Sequence, residues 1–554
     1  TKKIIIRKKL NNILENTLIV IDEVHNIRPS GGNKEKRIFE ALMTLANYVD
    51  NLRFLFLSAT PMFNTSTEIV PLINIMNTND NRSVISVKEV FDDRGNLKFN
   101  EETGEKTGED LLTTKMTGYI SYVRGENPYT YPYKIYPSLF NNEKSIKTKE
   151  YPEKTLNGNE IIQGIQYIDL YTLEASTYQE KVYNYIIQQI KTSKVSFENL
   201  ESFGYTFLNP LVQTLNIVYP NNNFNDGKTV RKELLYGIDG FKSVMNFSDS
   251  KKNYQYKKSI LEKHGRIFSK DVIGEYSPKI KTLLDSIENS KGIILVYSNY
   301  LEAGLIPIAL ALEEFGMSRH GDVPSLFKNG EIKEKNHFKY VIISGDKKFS
   351  PNNKEDLKAC TNESNFNGDD VKVILISRAG TEGLDFKNIR QVHILEPWYN
   401  MNRIEQTLGR AVRTKSHCKL PFLERNVMIF LYGTMLSNNT ESTDLYIYRH
   451  AEEKAIQIGK INRLLKQNAV DCLLNKEQGN FTEENLKQTY TIMLSNFTEV
   501  SYKIGDKPFS DICDYMESCN FLCRKEKELR EEDINDTTYS KDFSNFNNTK
   551  LIKK

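Results

Sequence analysis

Two groups of short, continuous apolar runs, separated by segments with helical spacing, predict an α/β chain with two doubly wound parallel-sheet lobes. The first lobe reads as incomplete. A mixed, mainly helical insertion and a helical C-terminal extension complete the expected architecture, with bounds at 1–135, 136–285, 286–436 and 437–554. Length agrees: 554 residues are too many for one core, and about 150 residues per domain implies three or four units.

The first run is Thr17-Leu18-Ile19-Val20-Ile21, followed directly by Asp22-Glu23-Val24-His25. A β-branched run ending in acids is a buried parallel strand that delivers carboxylates to its C-terminal edge, where open α/β sheets bind ligands. In a nucleotide-hydrolysing site the two acids divide the work. Asp22 is expected to hold a nucleotide's Mg²⁺ through water, and Glu23 to orient and deprotonate the attacking water. The plain alternative is a strand end that caps the next helix.

Lys34 to Val49 carries Ile38, Leu42, Leu45 and Val49 at helical spacing. A second buried strand, Arg53 to Leu57, ends in Ser58-Ala59-Thr60-Pro61, and the proline closes it by removing a donor. If the two strands are neighbours, Ser58 and Thr60 stand beside the carboxylates and can sense a γ-phosphate. Residues 95–110 are polar and turn-rich, and Gly118 to Pro137 reads as a connector.

From about 160 to 290 the signals are helical and irregular. Lys251, Lys252, Lys257, Lys258 and Lys263 read as a solvated face more than as a phosphate track. Gly227-Lys228-Thr229 imitates a phosphate loop, but Asn222 stands where the first glycine belongs and no strand-to-helix frame surrounds it.

The second lobe has five apolar runs: 293–297, 340–344, 371–377, 392–395 and 427–431. Ser377 to Asp385 follows a strand; its glycines allow close backbone approach to a ligand, and Asp385 is placed to accept from a ribose or an arginine. Over a helix expected at Asn402 to Arg413, Ile404, Leu408 and Val412 share one face and Gln406, Arg410 and Arg413 the opposite one. Arginine forks match phosphate oxygens, so this face suits a triphosphate whose charge grows in the transition state. Gly409 inside the helix costs near 1 kcal/mol, which argues against an ordinary surface helix. Asp444 to Leu474 reads as a long amphipathic helix crossing both lobes on Ala455, Ile458, Ile461, Leu464 and Leu465.

Net charge is +3, from 75 Lys and Arg against 72 Asp and Glu, which excludes a global basic field; nucleic acid would need a local groove. Six sparse cysteines, Cys360, Cys418, Cys472, Cys513, Cys519 and Cys523, fit a reducing compartment better than a disulfide framework. The last three have metal-ligand potential at a non-standard zinc spacing, and core thiols are the expected reading. No apolar run approaches the roughly 20 residues that span a bilayer, so no membrane partner is expected.

Taken in order, Asp22-Glu23-Val24-His25, Ser58-Ala59-Thr60, Ser377 to Asp385 and Gln406 to Arg413 resemble the motif series of superfamily-two helicases. Ala59 to Asn64, Arg378 to Asp385 and Glu396-Pro397-Trp398-Tyr399-Asn400 are similar to the Swi/Snf-like branch, which translocates on duplexes. Ser121 to Pro128 and Ser416-His417-Cys418 resemble the helicase-like ATPases of nucleocytoplasmic large DNA viruses, including poxvirus-type nucleoside triphosphate phosphohydrolase I and the early transcription factor ATPase subunit. The resemblance implies two RecA-like lobes closing on ATP and Mg²⁺. It implies that Asp22 and Glu23 handle Mg²⁺ and water, and that His25, Ser58 and Thr60 couple hydrolysis to lobe movement. Gly383 and Asp385 would contact nucleotide or its arginines, Thr381 the nucleic-acid backbone, and Gln406, Arg410 and Arg413 would complete the site from across the cleft.

The same resemblance implies an ATP-dependent translocase of viral transcription, with DNA rather than RNA as nucleic-acid partner, viral RNA polymerase or transcription factors as protein partners, and an intracellular place in virion and cytoplasmic viral factory. The family's phosphate loop lies upstream of the acidic strand, yet only 21 residues precede Asp22 and none form it. A fragment without its phosphate loop, inactive by itself, is therefore expected. The alternatives are a non-hydrolysing nucleic-acid or polymerase docking module and a strand-separating helicase of replication or repair.

Overall fold

The apolar runs form strands in a computed structural model that describes residues 2–29, 32–192, 204–248, 253–328, 337–378 and 384–524. In the first unit, β1 (Leu18–Ile21) pairs in parallel with β2 (Arg53–Phe56), in register from Leu18 opposite Arg53 to Ile21 opposite Phe56. The helix Asn33–Tyr48 makes the crossover and buries Leu42 and Ala46 with Val49, Leu52, Phe54, Leu72 and Ile75. Among the described residues only one face of this pair is covered. Leu18 (56 %), Val20 (53 %), Leu55 (45 %) and Leu57 (42 %) remain exposed on alternate positions, as the two-residue period of a strand dictates.

The remaining strands follow in chain order: β3 (Tyr133–Ile135), β4 (Tyr171–Glu174), β5 (Met245–Ser248), β6 (Asn253–Tyr256), β7 (Ile293–Tyr297), β8 (Ser318–Arg319) and β9 (Lys339–Ile343). They continue with β10 (Val371–Ile376), β11 (Ile389–Ile394), β12 (Asn426–Met435), β13 (Thr489–Met493) and β14 (Glu499–Lys503). Among the described residues the large sheet has eight strands in the order β3-β12-β11-β7-β10-β9-β8, with β4 also on β12. Every pairing in it is parallel. Residues of β7, β10 and β11 are buried on both faces; β7 reads as an unbroken apolar run, whereas β10 buries Lys372 and β11 buries Arg390, Gln391 and His393. The chain leaves β7 toward β9 and leaves β11 toward β12, so their C-terminal ends flank a topological switch point.

The α/β class, the parallel sheets and the mainly helical segment between them are as the sequence implies. Three details differ. β3 lies at the end of the span expected for the first lobe, yet it pairs with Asn426–Met428 of β12 in the large sheet, and β4 pairs with Tyr432–Met435 of the same strand. The ten-residue β12 pairs with β11 over Met428–Leu431, and the two short strands pair with it over Asn426–Met428 and Tyr432–Met435, β3 on the edge opposite β11. The C-terminal region adds an antiparallel hairpin, β13–β14, to its helices.

The cysteines also depart from expectation, since four are paired: Cys472 with Cys523 and Cys513 with Cys519. The chain returns along the end of the long helix, which brings Cys523 to Cys472. Left-handed turns at Asp514 and Tyr515 fold the short loop that closes Cys513 on Cys519. Cys360 and Cys418 are free. Among the described residues no group of three or more His, Cys, Asp or Glu is placed to hold a metal ion, and no helix is long and apolar enough to cross a membrane.

The long helix runs Thr443–Gln467 and stops before the expected Leu474; Cys472–Gly479 forms a separate helix. Its first half packs Leu445, Tyr448, Ala451 and Ala455 against the large sheet. Its second half packs Ile458, Ile461, Leu464 and Leu465 against Met62, Ile69, Val70 and Ile73 of the first unit. One helix thus joins both cores. Its N-terminal turn carries a buried ion pair, Asp444 with Lys279 at 2.7 Å, both essentially inaccessible (0 % and 1 %). Lys279 also donates to the Leu395 carbonyl (2.8 Å) and to Asn216 Oδ1 (3.2 Å), and Thr434 donates to Asp444 at 2.8 Å.

Candidate active site

β1 ends at Ile21 and sets Asp22 and Glu23, both exposed, at its C-terminal edge. Glu23 is held in the left-handed region, φ 51° and ψ 46°, and opens a single 3₁₀ turn, Val24–Asn26. A bulky non-glycine residue held there stores strain of about 1–3 kcal/mol, a feature that clusters at functional sites. Two bonds maintain the turn: Glu23 N–H donates to Asp22 Oδ1 at 2.9 Å, and Val24 N–H donates to the Leu57 carbonyl at 3.1 Å. The second ties the acidic turn to the strand end that carries Ser58.

His25 is buried between these elements. Its Nδ1 lies 3.0 Å from Ser58 Oγ and 3.3 Å from Glu23 Oε2, and its ring stacks on Phe63 at 5.3 Å. Burial, ahead of the opposing pull of Glu23, lowers the imidazole pKa. Ser58 Oγ also accepts from Thr60 N–H at 3.0 Å, while Thr60 Oγ1 is buried without a hydrogen-bond partner among the described residues. Asp22, Glu23, His25, Ser58 and Thr60 are therefore one cluster.

The arginine helix spans Met401–Ala411, with Asn400 as its N-cap; Asn400 Oδ1 accepts from Arg403 N–H at 3.1 Å. Ile404, Leu408 and Val412 are buried as expected, and Gln406 and Arg410 are half-buried. Arg413 is a correction: the helix ends at Ala411, Val412 is extended, and Arg413 folds back from the following turn to pair with Asp385. Arg410 lies 4.0 Å from the same carboxylate and 3.4 Å from the Leu384 carbonyl. Asp385, Arg410 and Arg413 form a second cluster. Thr381 and Gly383 lie outside the described residues. Gly227-Lys228-Thr229 follows the short helix Asn222–Asn225 rather than a strand, as expected of an imitation.

Residues to which the sequence reading gave no role join the two halves. Asn402 Nδ2 donates to the Met62 carbonyl (2.9 Å) and the Phe63 carbonyl (3.0 Å), and Asn400 Nδ2 donates to Asn64 Oδ1 (3.1 Å). Asn64 and Asn400 sit inside quoted motifs, a signal that was present; Asn402 carried none.

On the far side of the arginine helix, Lys134 is held by Asp511 (3.1 Å), Glu405 (3.2 Å) and Glu126 (3.8 Å). Burial, then the nearby Asp511, pushes the Glu405 carboxyl up to about 7. A carboxyl with a raised folded-state pKa contributes stability that is complete below its unfolded value, about 4.5, and lost as pH rises through about 7. Glu405→Gln removes that ionisation. The variant is expected to gain on the native chain, by on the order of 2 kcal/mol, between pH 5 and pH 8 in urea unfolding; an identical difference at both pH values would refute this.

Residues 315–415, which hold β8 to β11 and the arginine helix, match the family model "Helicase conserved C-terminal domain". This segment is similar to a helicase C-terminal domain. The chain is related to helicase-like proteins of large DNA viruses. A protein of Acanthamoeba polyphaga mimivirus named as an ATP-dependent RNA helicase, R563, is 29 % identical over 85 % of this chain and 69 % of its own length. A protein of Invertebrate iridescent virus 3 named as helicase 087L is 23 % identical over 86 % of this chain and 41 % of its own. A termination factor NPH-I homolog of African swine fever virus is 25 % identical over 85 % of this chain and 65 % of its own. The chain thus spans between about two fifths and two thirds of these relatives. Among solved structures, the C-terminal part of the Fun30 ATPase domain aligns at TM-score 0.27 and 15 % identity, over 55 % of this chain and 90 % of that one, too distant to bear on the fold. Asp385, Gln406, Arg410 and Arg413 all fall within the matched helicase domain.

Proposed function

We propose that this chain belongs to an ATP-driven nucleic-acid translocase working in transcription of a large DNA virus, with ATP hydrolysed between its two sheets. One observation carries the reading: an exposed carboxylate, Glu23, held in a strained turn at a strand's C-terminal end and bridged through His25 to Ser58. A binding-only module has no use for a pre-oriented general base. The helicase domain supplies the complementary half, because guanidinium groups can stabilise charge that develops on a transferred phosphoryl group.

Residue roles follow from position. Asp22 presents an exposed carboxylate, the hard oxygen donor that suits a hydrated Mg²⁺, and would hold that ion. Bound there, Mg²⁺ neutralises phosphate charge. Glu23 orients water and takes its proton. His25, Ser58 and Thr60 link that turn to the neighbouring strand, and Gln406, Arg410 and Arg413 reach the triphosphate once Arg413 leaves Asp385. Gly383 would approach nucleotide and Thr381 the nucleic-acid backbone.

The exposed apolar face of β1 and β2 supports one further part of the reading. Parallel sheets are covered on both faces, so more of the first lobe, including a phosphate loop, is expected to pack there. Duplex DNA is the nucleic acid of this reading, although the mimivirus relative is named for RNA. The test is steady-state ATP hydrolysis with and without DNA or RNA. The native protein is expected to respond to nucleic acid, while residues 1–554 alone hydrolyse ATP poorly. Strong turnover by residues 1–554 would overturn the missing-loop part, and a native protein without ATPase activity would overturn the whole.

A further inference from the structure

We infer that Asn402, assisted by Asn400, is a positioning residue that clasps the arginine helix to the acidic half of the site; the inference rests on the ATPase reading above. Both acceptors of Asn402 are backbone carbonyls, of Met62 and Phe63, so its amide nitrogen can only be the donor. Asn400 divides its two ends: Oδ1 caps the helix, and Nδ2 reaches Asn64 on the other unit. Asn64 has no choice of orientation either, because its own Nδ2 donates to Glu68 Oε1 at 3.0 Å.

The receiving loop is rigid. Glu68 Oε2 accepts from Phe63 N–H (2.7 Å) and Asn64 N–H (3.0 Å), and Arg28 lies 3.4 Å from Glu68 with its guanidinium over the Phe63 ring at 5.8 Å. Phe63 stacks on His25, which faces Glu23. An unbroken series of contacts therefore runs from the Glu23 carboxylate through His25 and Phe63 to Asn402. From Asn402 the helix continues one turn to Gln406 and two turns to Arg410. Shifting the helix along its axis must break the clasp or move Phe63 against His25. Asn402 touches neither the expected substrate nor the reacting atoms. It sets where the arginines stand when the halves close.

The experiment uses the native protein with Asn402→Ala, Asn402→Asp, which keeps shape but removes both donors, and Asn402→Gln, which keeps an amide donor. Two hydrogen bonds that position rather than bind predict that kcat at saturating nucleic acid falls about tenfold in N402A and N402D, with KM for ATP within about twofold and partial recovery in N402Q. Hydrogen exchange of residues 62–68, read without ATP, is expected to quicken in the same two variants. Wild-type protein that shows quickened exchange in its variants but no turnover refutes the ATPase reading and leaves the clasp standing. Unchanged kcat in N402A and N402D overturns the inference. So does a loss of kcat matched by an equal rise in KM and a fall in the unfolding midpoint, because Asn402 would then support only the fold.

Discussion

Glu23→Gln in the native protein is expected to reduce ATP turnover by a hundredfold or more, about the contribution of a positioned general base, while nucleotide binding persists. The amide matches the carboxylate in size but cannot take a proton from water. The backbone turn that aims residue 23 does not depend on its side chain. It is held by Glu23 N–H on Asp22 and Val24 N–H on Leu57, both main-chain donors that the substitution keeps. Rate and binding should therefore separate. Steady-state hydrolysis beside equilibrium titration with a fluorescent ATP analogue measures both, and turnover within a few fold of wild type would remove Glu23 from its role.

Lys279→Met is expected to be the most destabilising single change, by about 3–5 kcal/mol, because it leaves the buried Asp444 without its ion-pair partner. The loss is large because Lys279 gathers three elements: the long helix through Asp444, the end of β11 through the Leu395 carbonyl, and the preceding helical segment through Asn216. Replacing both partners, Lys279→Met with Asp444→Leu, is expected to recover much of it, since a buried pair exchanged for apolar side chains of similar volume is often neutral. Urea unfolding midpoints of the two variants decide the matter. A double variant no better than the single one would show that the pair's hydrogen bonds, rather than its charge balance, hold the three elements.

Much of this architecture was legible because it obeys local rules. β7, β9, β10 and β12 each contain a buried apolar run and were readable for that reason, while β11, which buries Arg390, Gln391 and His393, showed only its apolar end. The long helix was legible from its apolar spacing, and its bridging of two cores from its length. What escaped depends on residues distant in sequence. β3 (Tyr-Lys-Ile) and β4 (Tyr-Thr-Leu-Glu) mix polar with apolar residues and form no apolar run of the kind that marked β1 and β2; they are strands because β12 pairs with them. The Cys472–Cys523 pair joins residues 51 apart, invisible to a spacing rule built on short motifs. In the site, the acids and their histidine and serine partners were readable as motifs on two strand ends. Arg413 was misplaced because helical projection assumes a helix that continues, and this one stops two residues earlier. Asn402 was missed because its role consists wholly of contacts with another part of the chain.

The strand pairing at β12 sets a timetable for the chain's own synthesis. β3 and β4 leave the ribosome about 290 and 260 residues before the parts of β12 that complete them, and at roughly 5–20 residues per second that is a wait of about 13–60 s. During that interval two segments rich in tyrosine have no partner, and the large sheet cannot close until its last long strand arrives.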